Sequence, residues 1–262
     1  MVKVALTQLK PVCDKNESLK NIEYYSGIAS GNTSDLIVFP EYYMFYSSNK
    51  NDIIDKSETL DGSYVNTIKK IAKNNNINII TGINEKDKDK YYDTAIYINK
   101  SGELLSYYRK THLYDAFNYK ESDVYDYGNG PFNTFKIGNI NLGMLICYDI
   151  RFPELFRNYS LNGVDAIIMI SGWFSGPIKE EQWLSLVSVR ALENTVYIGT
   201  SNLIGGGFTG ITSFVDPIGI ITNRCTEDEN IIYSTIDTER IKKVRKIMPL
   251  LNQRRPELYR KV

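Results

Sequence analysis

Two runs of this chain, Leu36-Ile37-Val38-Phe39 and Ala166-Ile167-Ile168-Met169-Ile170, are apolar at every position. A strand with one wet face alternates polar and apolar residues, whereas a strand apolar throughout is buried on both faces. The consequence is a sheet covered on each side by helices or by another sheet. The rest of the chain supplies the alternation such a fold needs. Apolar runs at 2–6, 36–39, 77–81, 94–98, 104–108, 132–137, 142–147, 166–170, 196–200, 211–215 and 231–236 read as strands. Runs at 18–29, 63–73, 153–161, 179–192 and 238–246 read as helices, with Gly-Asn, Ser-Gly and Asp-Pro-Ile-Gly clusters as turns between elements. Residues 91–106 and 210–222 read as local hairpins. No internal repeat, linker or low-complexity block interrupts the 262 residues, and a single α/β domain spanning 1–262 is the simplest organisation.

Charge excludes some partners. Lys plus Arg number 31 and Asp plus Glu number 31, so the chain has no electrostatic reason to seek nucleic acid or an anionic membrane. Residues 1–8 read as a first strand and not as a signal peptide. No apolar stretch approaches the roughly 20 residues a membrane helix needs. A soluble, cytoplasmic protein with neither nucleic-acid nor membrane partners is expected. The three cysteines, Cys13, Cys147 and Cys225, are widely spaced and form no CxxC pair, which argues against a disulfide framework or a zinc site. His112 is the only histidine, so multi-histidine metal sites are excluded and any histidine-based catalysis rests on this residue. No metal and no cofactor is expected.

Three residues with reactive side chains stand at strand ends. Glu41 follows the apolar strand and Pro40, Lys110 follows Ser106-Tyr107-Tyr108-Arg109, and Cys147 closes Asn141-Leu142-Gly143-Met144-Leu145-Ile146. In α/β folds sites form at the carboxyl edge of the sheet, so these three are placed to converge. Cys147 lies between a buried strand and a helix opening near Pro153, the setting of an exposed nucleophile with free backbone N–H groups beside it. A buried, inert cysteine fits the same sequence equally well. Cys13 and Cys225 lie beside polar turns and lack this setting. For Glu41 and Lys110 the plain alternative is a solvated loop charge. On an extended chain Tyr108, Lys110 and His112 share one face, which keeps His112 open as a base beside its plainer role as a hydrogen-bonded structural residue.

The segments Phe39-Pro40-Glu41, Tyr108-Arg109-Lys110-Thr111-His112-Leu113 and Cys147-Tyr148-Asp149-Ile150-Arg151-Phe152-Pro153-Glu154 together resemble the three signature blocks of the nitrilase superfamily. The similarity continues through Trp183, Arg190-Ala191-Leu192-Glu193-Asn194, Asp216-Pro217-Ile218-Gly219 and the tail Arg254-Arg255-Pro256-Glu257-Leu258-Tyr259, and so covers almost the whole chain. The resemblance implies an α-β-β-α sandwich and a catalytic triad of Glu41, Lys110 and Cys147. It further implies a second glutamate, best matched by Glu121, with Asp115 and Asp123 as simple loop charges.

The chemistry implied is hydrolysis of a non-peptide C–N bond of a small amide through a thioester. Glu41 would take the Cys147 proton, and Lys110 would favour the thiolate by Coulomb attraction. Lys110 and the Tyr148 N–H would stabilise the oxyanion. Arg151 and Glu154 are expected to pair structurally behind the nucleophile. The Cys147 block and the tail resemble the omega-amidase and deaminated-glutathione amidase branch, which acts on small amides carrying carboxylates. Tyr148, Trp173, Phe174 and Tyr46, the last within Tyr42-Tyr43-Met44-Phe45-Tyr46, are candidate pocket residues. Alternatives on the same triad are a nitrilase or an N-carbamoyl amide hydrolase. Others are a cysteine hydrolase using His112 as base, or an interaction protein on the same scaffold. A homodimer or higher homo-oligomer is expected, with 247–262 as an extended C-terminal arm on the partner. The stripe Trp183, Val187, Arg190-Ala191 could bury against the partner or against the chain's own sheet.

Overall fold

The computed structural model describes residues 1–130 and 132–259, so the last three residues of the expected arm lie outside the described residues. The chain runs β1 (Val2–Leu9), α1 (Lys15–Gly31), β2 (Leu36–Val38), α2 (Lys50–Lys56), α3 (Ser63–Asn74), β3 (Asn78–Asp87), β4 (Lys90–Ile98) and β5 (Leu104–Arg109). A small hairpin, β6 (Asp115–Ala116) and β7 (Tyr119–Lys120), leads to β8 (Phe135–Ile137), β9 (Ile140–Ile146), α4 (Pro153–Leu161), β10 (Ala166–Ser171) and α5 (Lys179–Asn194). Then come β11 (Tyr197–Gly205), β12 (Phe208–Thr209), β13 (Ser213–Val215), β14 (Ile221–Arg224), β15 (Asn230–Ile236), α6 (Thr238–Ile247) and α7 (Pro256–Tyr259).

The strands form two halves. One runs β5-β4-β3-β2-β1 with β15 antiparallel on the far side of β1; the other runs β8-β9-β10-β11 and continues through β13 to β14. They are joined where Gln8 and Leu9 of β1 pair with Asn202 and Leu203 of β11. Alternation along each strand explains why both faces are buried. Val4 and Leu6, Leu36 and Val38, Ile80, and Ala95 and Tyr97 enter one core together with Leu142, Met144, Ile168 and Ile170 of the other half. Their neighbours Ala5, Ile37, Phe39, Ile79, Ile96 and Ile98 enter a second core beneath the helices α1 and α3. The apolar face of α3, Tyr64, Val65, Ile68, Ile71 and Ala72, is buried there. On the opposite side α4 and α5 cover the other half, with Trp183, Val187 and Ala191 fully buried. This is the expected α-β-β-α layering.

Some local expectations are corrected. Residues 132–134 do not join the ladder, because the Phe132 ring turns to pack on Tyr108 and Tyr159 and only Phe135–Ile137 pairs with β9. The strand before Cys147 stops at Ile146. The stripe on α5 is satisfied within its own chain. Beyond α6 the chain is not an extended arm. It turns through Leu250 N–H to Met248 O and Gln253 N–H to Pro249 O, then forms α7. Proline ends helices but suits a first helical turn, so Pro256 opens α7. No helix of the described residues is long and apolar enough to cross a membrane.

Candidate active site

Three strand ends deliver the reactive side chains to one buried place. Glu41 lies just beyond β2, and its backbone runs close against β3: a Cβ at Gly82 would fall 2.9 Å from both Glu41 Cα and Tyr42 N. Lys110 follows β5 and its backbone N–H donates to Asp93 O at 2.9 Å, fixing it to the start of β4. Cys147 comes from the other half of the sheet. It opens a 3-10 turn, Cys147–Arg151, with φ of 42°, a left-handed conformation that L-residues adopt only at a cost. The strand thus breaks abruptly at Cys147, and its side chain projects into the junction between the halves.

Lys110 is the hub. Its ammonium donates to Glu41 Oε1 and Glu121 Oε1, each at 2.7 Å, and lies 3.3 Å from Asp93 Oδ2. All four groups are buried. Glu41 Oε2 accepts from the Gly172 N–H, which ties this carboxylate to the end of β10. Glu121 accepts from the Tyr42 hydroxyl and, at 2.5 Å, from the Tyr114 N–H. Oxygens of Glu41, Asp93 and Glu121 lie within 4.8 Å of one another, an arrangement that would suit a cation, and the Lys110 ammonium is the cation that binds there. Burial works against that ammonium, yet its carboxylate neighbours, Glu121 and Glu41 foremost, outweigh it and hold Lys110 well above the usual lysine range.

The same carboxylates act on Cys147. Burial first, then the charge of Glu41, pushes the Cys147 thiol well above the ordinary thiol range, and Lys110 offsets this only in part. These surroundings favour the neutral thiol over the thiolate at rest. Lys110 does favour the thiolate by Coulomb attraction, as expected, but its charge is shared among carboxylates and burial and Glu41 outweigh it.

His112 belongs to a different network. Its Nδ1 lies 2.9 Å from Asp149 Oδ1, and its ring stacks on Phe152 at 3.6 Å between centroids. Asp149 also accepts from the Tyr108 hydroxyl, Thr111 Oγ1, and the backbone N–H groups of His112 and Ile146. This buried carboxylate ties the segment after β5 to the turn at Cys147, which is the structural role open to His112 from sequence.

Glu41, Lys110 and Cys147 line one cavity with Tyr42, Tyr114, Tyr119, Gly172, Trp173, Phe174 and Lys179. Its free space is about 10 Å³, near the minimum for one water molecule. A larger depression of about 530 Å³, lined by residues such as Ser30, Asp35, Asn76 and Lys136, is an open polar groove without these reactive groups. Lys179 is the second cation of the cavity. Its ammonium is 3.3 Å from the Tyr114 hydroxyl and lies over the rings of Phe117, Trp173 and Tyr114 at 4.5, 5.2 and 5.4 Å. Burial and then the charge of Arg151 draw it below the usual lysine range.

Of the four pocket residues read from sequence, Trp173 and Phe174 line the cavity. Tyr148 and Tyr46 stand one layer back, the first edge-on to Tyr114 and the second against Phe208 and Tyr42. Arg151 does not pair with Glu154. It donates to Gln182 at 2.8 Å and lies over Trp173 at 4.9 Å, while Glu154 is exposed. Sequence reading missed Asp93, Asp149, Tyr119 and Lys179. Asp149 alone had a local signal, its place two residues after the cysteine.

Comparison with known proteins bears on the family and the fold. A family model described as carbon-nitrogen hydrolase matches residues 3–246. The deaminated glutathione amidase of Escherichia coli O157:H7 is 30% identical over 240 residues, covering 90% of this chain and 92% of that protein. The omega-amidase NIT2 of Mus musculus is 31% identical over 216 residues, 78% of each chain. Saccharomyces cerevisiae Nit3, a member of branch 10 of the nitrilase superfamily, superposes with a TM-score of 0.87 at 28% identity, covering 97% of this chain and 96% of that one.

Proposed function

The chain belongs to the carbon-nitrogen hydrolase family, within the nitrilase superfamily, and we propose that it hydrolyses a small amide carrying a carboxylate through Cys147, Glu41 and Lys110. The observation that carries this reading is the buried chain Glu41–Lys110–Glu121, bonded at 2.7 Å on each side of the ammonium, in one cavity with Cys147.

Each step uses a group already in place. The Cys147 thiol gives its proton to the Glu41 carboxylate as Sγ attacks the amide carbon. The carbonyl oxygen becomes an oxyanion, stabilised by the Lys110 ammonium and the N–H of Tyr148 on the turn after the nucleophile. Glu41 returns the proton to the nitrogen, the C–N bond breaks, and ammonia leaves a thioester on Cys147. Water then attacks that carbonyl with Glu41 as base, the C–S bond breaks, and the thiol recovers its proton. Glu121 keeps Lys110 in position throughout. Neither His112 nor a metal is needed. The thiol ionises only as the bond to substrate forms, which suits a site where a resting thiolate is disfavoured.

Lys179 supports the substrate class. Among the described residues it has no carboxylate partner, although it is buried beside the nucleophile, and Arg151 lies close enough to depress its affinity for a proton. A substrate carboxylate would complete that pair. The names of the relatives, deaminated glutathione amidase and omega-amidase, agree with an amide on a carboxylate-bearing chain. The test is ammonia release from matched amides with and without a carboxylate, beside N-carbamoyl compounds and nitriles. Carboxylate-bearing amides should be preferred, and Lys179→Met should raise their KM about tenfold or more while sparing neutral amides. Faster turnover of the nitriles or carbamoyl compounds would replace this reading.

We also infer a homo-oligomer, at least a dimer. Val189 and Leu192 on α5 and Leu258 and Tyr259 at the tail are exposed apolar groups, a surface that a second copy would cover.

A further inference from the structure

Asp93 stands in the cluster around Lys110 without a hydrogen bond of its own. It is 1% exposed, yet among the described residues neither carboxylate oxygen has a donor directed at it. The Lys110 ammonium is 3.3 Å from Oδ2, but its two short bonds go to Glu41 and Glu121. A buried carboxylate left this way is costly, whereas a carboxylic acid in the same place can donate its own proton to a neighbouring carboxylate. Glu41 and Glu121 are the neighbours available, since oxygens of all three groups lie within 4.8 Å of one another, and Glu41 bears more strongly on Asp93.

We propose that Asp93 is a positioning residue that rests as a neutral acid, its proton shared with Glu41, and so removes one negative charge from the cluster around Lys110. With Asp93 neutral, the cluster holds two carboxylates and one ammonium. With Asp93 ionised it would hold three carboxylates against that ammonium, and ionisation of the thiol would become harder still. The groups facing Asp93 all bear on this balance. Glu41 and Tyr42 come from the segment after β2, Lys110 from the end of β5, and Glu121 and Tyr125 from the turn after β7. On β3 the residue opposite is Asn84, which is uncharged, and the next, Glu85, is bound to Arg109 and Thr94. Burial, then the charge of Glu41, also moves Asp93 well above the usual carboxylate range, with Lys110 opposing.

No net chemistry occurs at Asp93. Its O–H bond is kept through both half-reactions, and the proton transferred in each is the one that passes between Cys147 or water and Glu41. The inference rests on the reading of Glu41, Lys110 and Cys147 as the reacting groups, so its test includes a signal that does not depend on turnover.

Asp93→Asn copies the shape of the neutral acid and cannot ionise. Its kcat/KM at neutral pH should fall less than that of Asp93→Ala. On the alkaline side the unsubstituted enzyme should lose kcat/KM as Asp93 ionises, and this limb should move upward in D93N. Asp93→Ala, which keeps neither shape nor donor, should fall about tenfold or more at every pH. In infrared spectra the unsubstituted protein should show the C=O stretch of an un-ionised carboxylic acid at neutral pH, and D93N should lose it. Superimposable pH profiles, a folded but inactive D93N, or absence of the acid band would each overturn the proposal. If D93N does not fold, the band in the unsubstituted protein decides. An acid band with no amide turnover would instead count against the proposed function and leave the protonation of Asp93 standing.

Discussion

Cys147 combines a strained backbone with a protonated side chain, and its behaviour should reflect both. Cys147→Ala should lower amide hydrolysis by about a thousandfold or more, and intact-mass analysis of the unsubstituted enzyme should find any acyl group on Cys147 alone. An adduct on Cys13 or Cys225 would contradict the assignment. Glu41→Gln should lose comparable activity, whereas His112→Asn should keep most of it, because His112 is bonded to Asp149. The opposite ranking of these two variants would restore a cysteine–histidine mechanism. The raised thiol also links to stability. A group that binds its proton more tightly when folded contributes stability fully below its unfolded pKa and loses it as pH rises through the folded value. Thermal unfolding should therefore show the protein weakening as pH climbs past the ordinary thiol value of 9.0, more steeply than Cys147→Ala does. Sequence reached Glu41, Lys110 and Cys147 because each stands at or just past a strand end and within one of the three signature blocks. It did not reach Asp93, whose place in Tyr-Tyr-Asp-Thr-Ala reads as the polar side of an edge-like strand. Lys179 likewise reads as a solvated lysine at a helix start. Their burial depends on the second half of the sheet and on the hairpin β6–β7, which local patterning does not reveal.

At the scale of elements, the spacing between β2 and β3 sets the position of Glu41. Gly82 allows the segment carrying Glu41 to run against β3. Gly82→Ala would put a methyl group 2.9 Å from the Glu41 backbone. Misplacing a catalytic group by about an ångström can cost on the order of a hundredfold in rate, while overpacking costs about 1–3 kcal/mol of stability. G82A should therefore fold, melt somewhat earlier, and lose kcat by about that factor. Kinetics and thermal melts on one preparation would check the contrast; an unchanged kcat would show that Glu41 tolerates the shift. The buried strands and the helices α1, α3, α4, α5 and α6 were legible from periodicity. α2 was not, since it has seven residues and depends on an Asn49 cap. The β6–β7 hairpin also escaped notice. Phe117 and Asn118 hold φ of 53° and 63° at its tip, and no glycine marks that turn. Its tertiary contacts, with Tyr114 and Tyr119 packed on Phe174, hold it in place.

For the whole molecule, the two halves matter because neither carries a complete site: Glu41, Lys110 and Asp93 come from one, and Cys147 and Gly172 from the other. Self-association is the property to measure alongside activity. Light scattering at micromolar concentration should give at least a dimer, and deletion from residue 248 onward should reduce its mass or its melting temperature. A monomer, or a truncation without effect, would remove that inference. The layering could be read from strands apolar on both faces. The course of the tail could not, because Pro249 and Pro256 allow an extended arm and a turn followed by a short helix equally well. The closed cavity has one more consequence, for survival under oxidative stress. Peroxide and alkylating reagents attack exposed thiolates, and Cys147 at rest is neither exposed nor ionised, whereas Cys13 lies on the surface. Damage to the nucleophile should thus accompany turnover: in a peroxide time course followed by peptide mass spectrometry, Cys13 should be modified first, and Cys147 chiefly while substrate is opening the site.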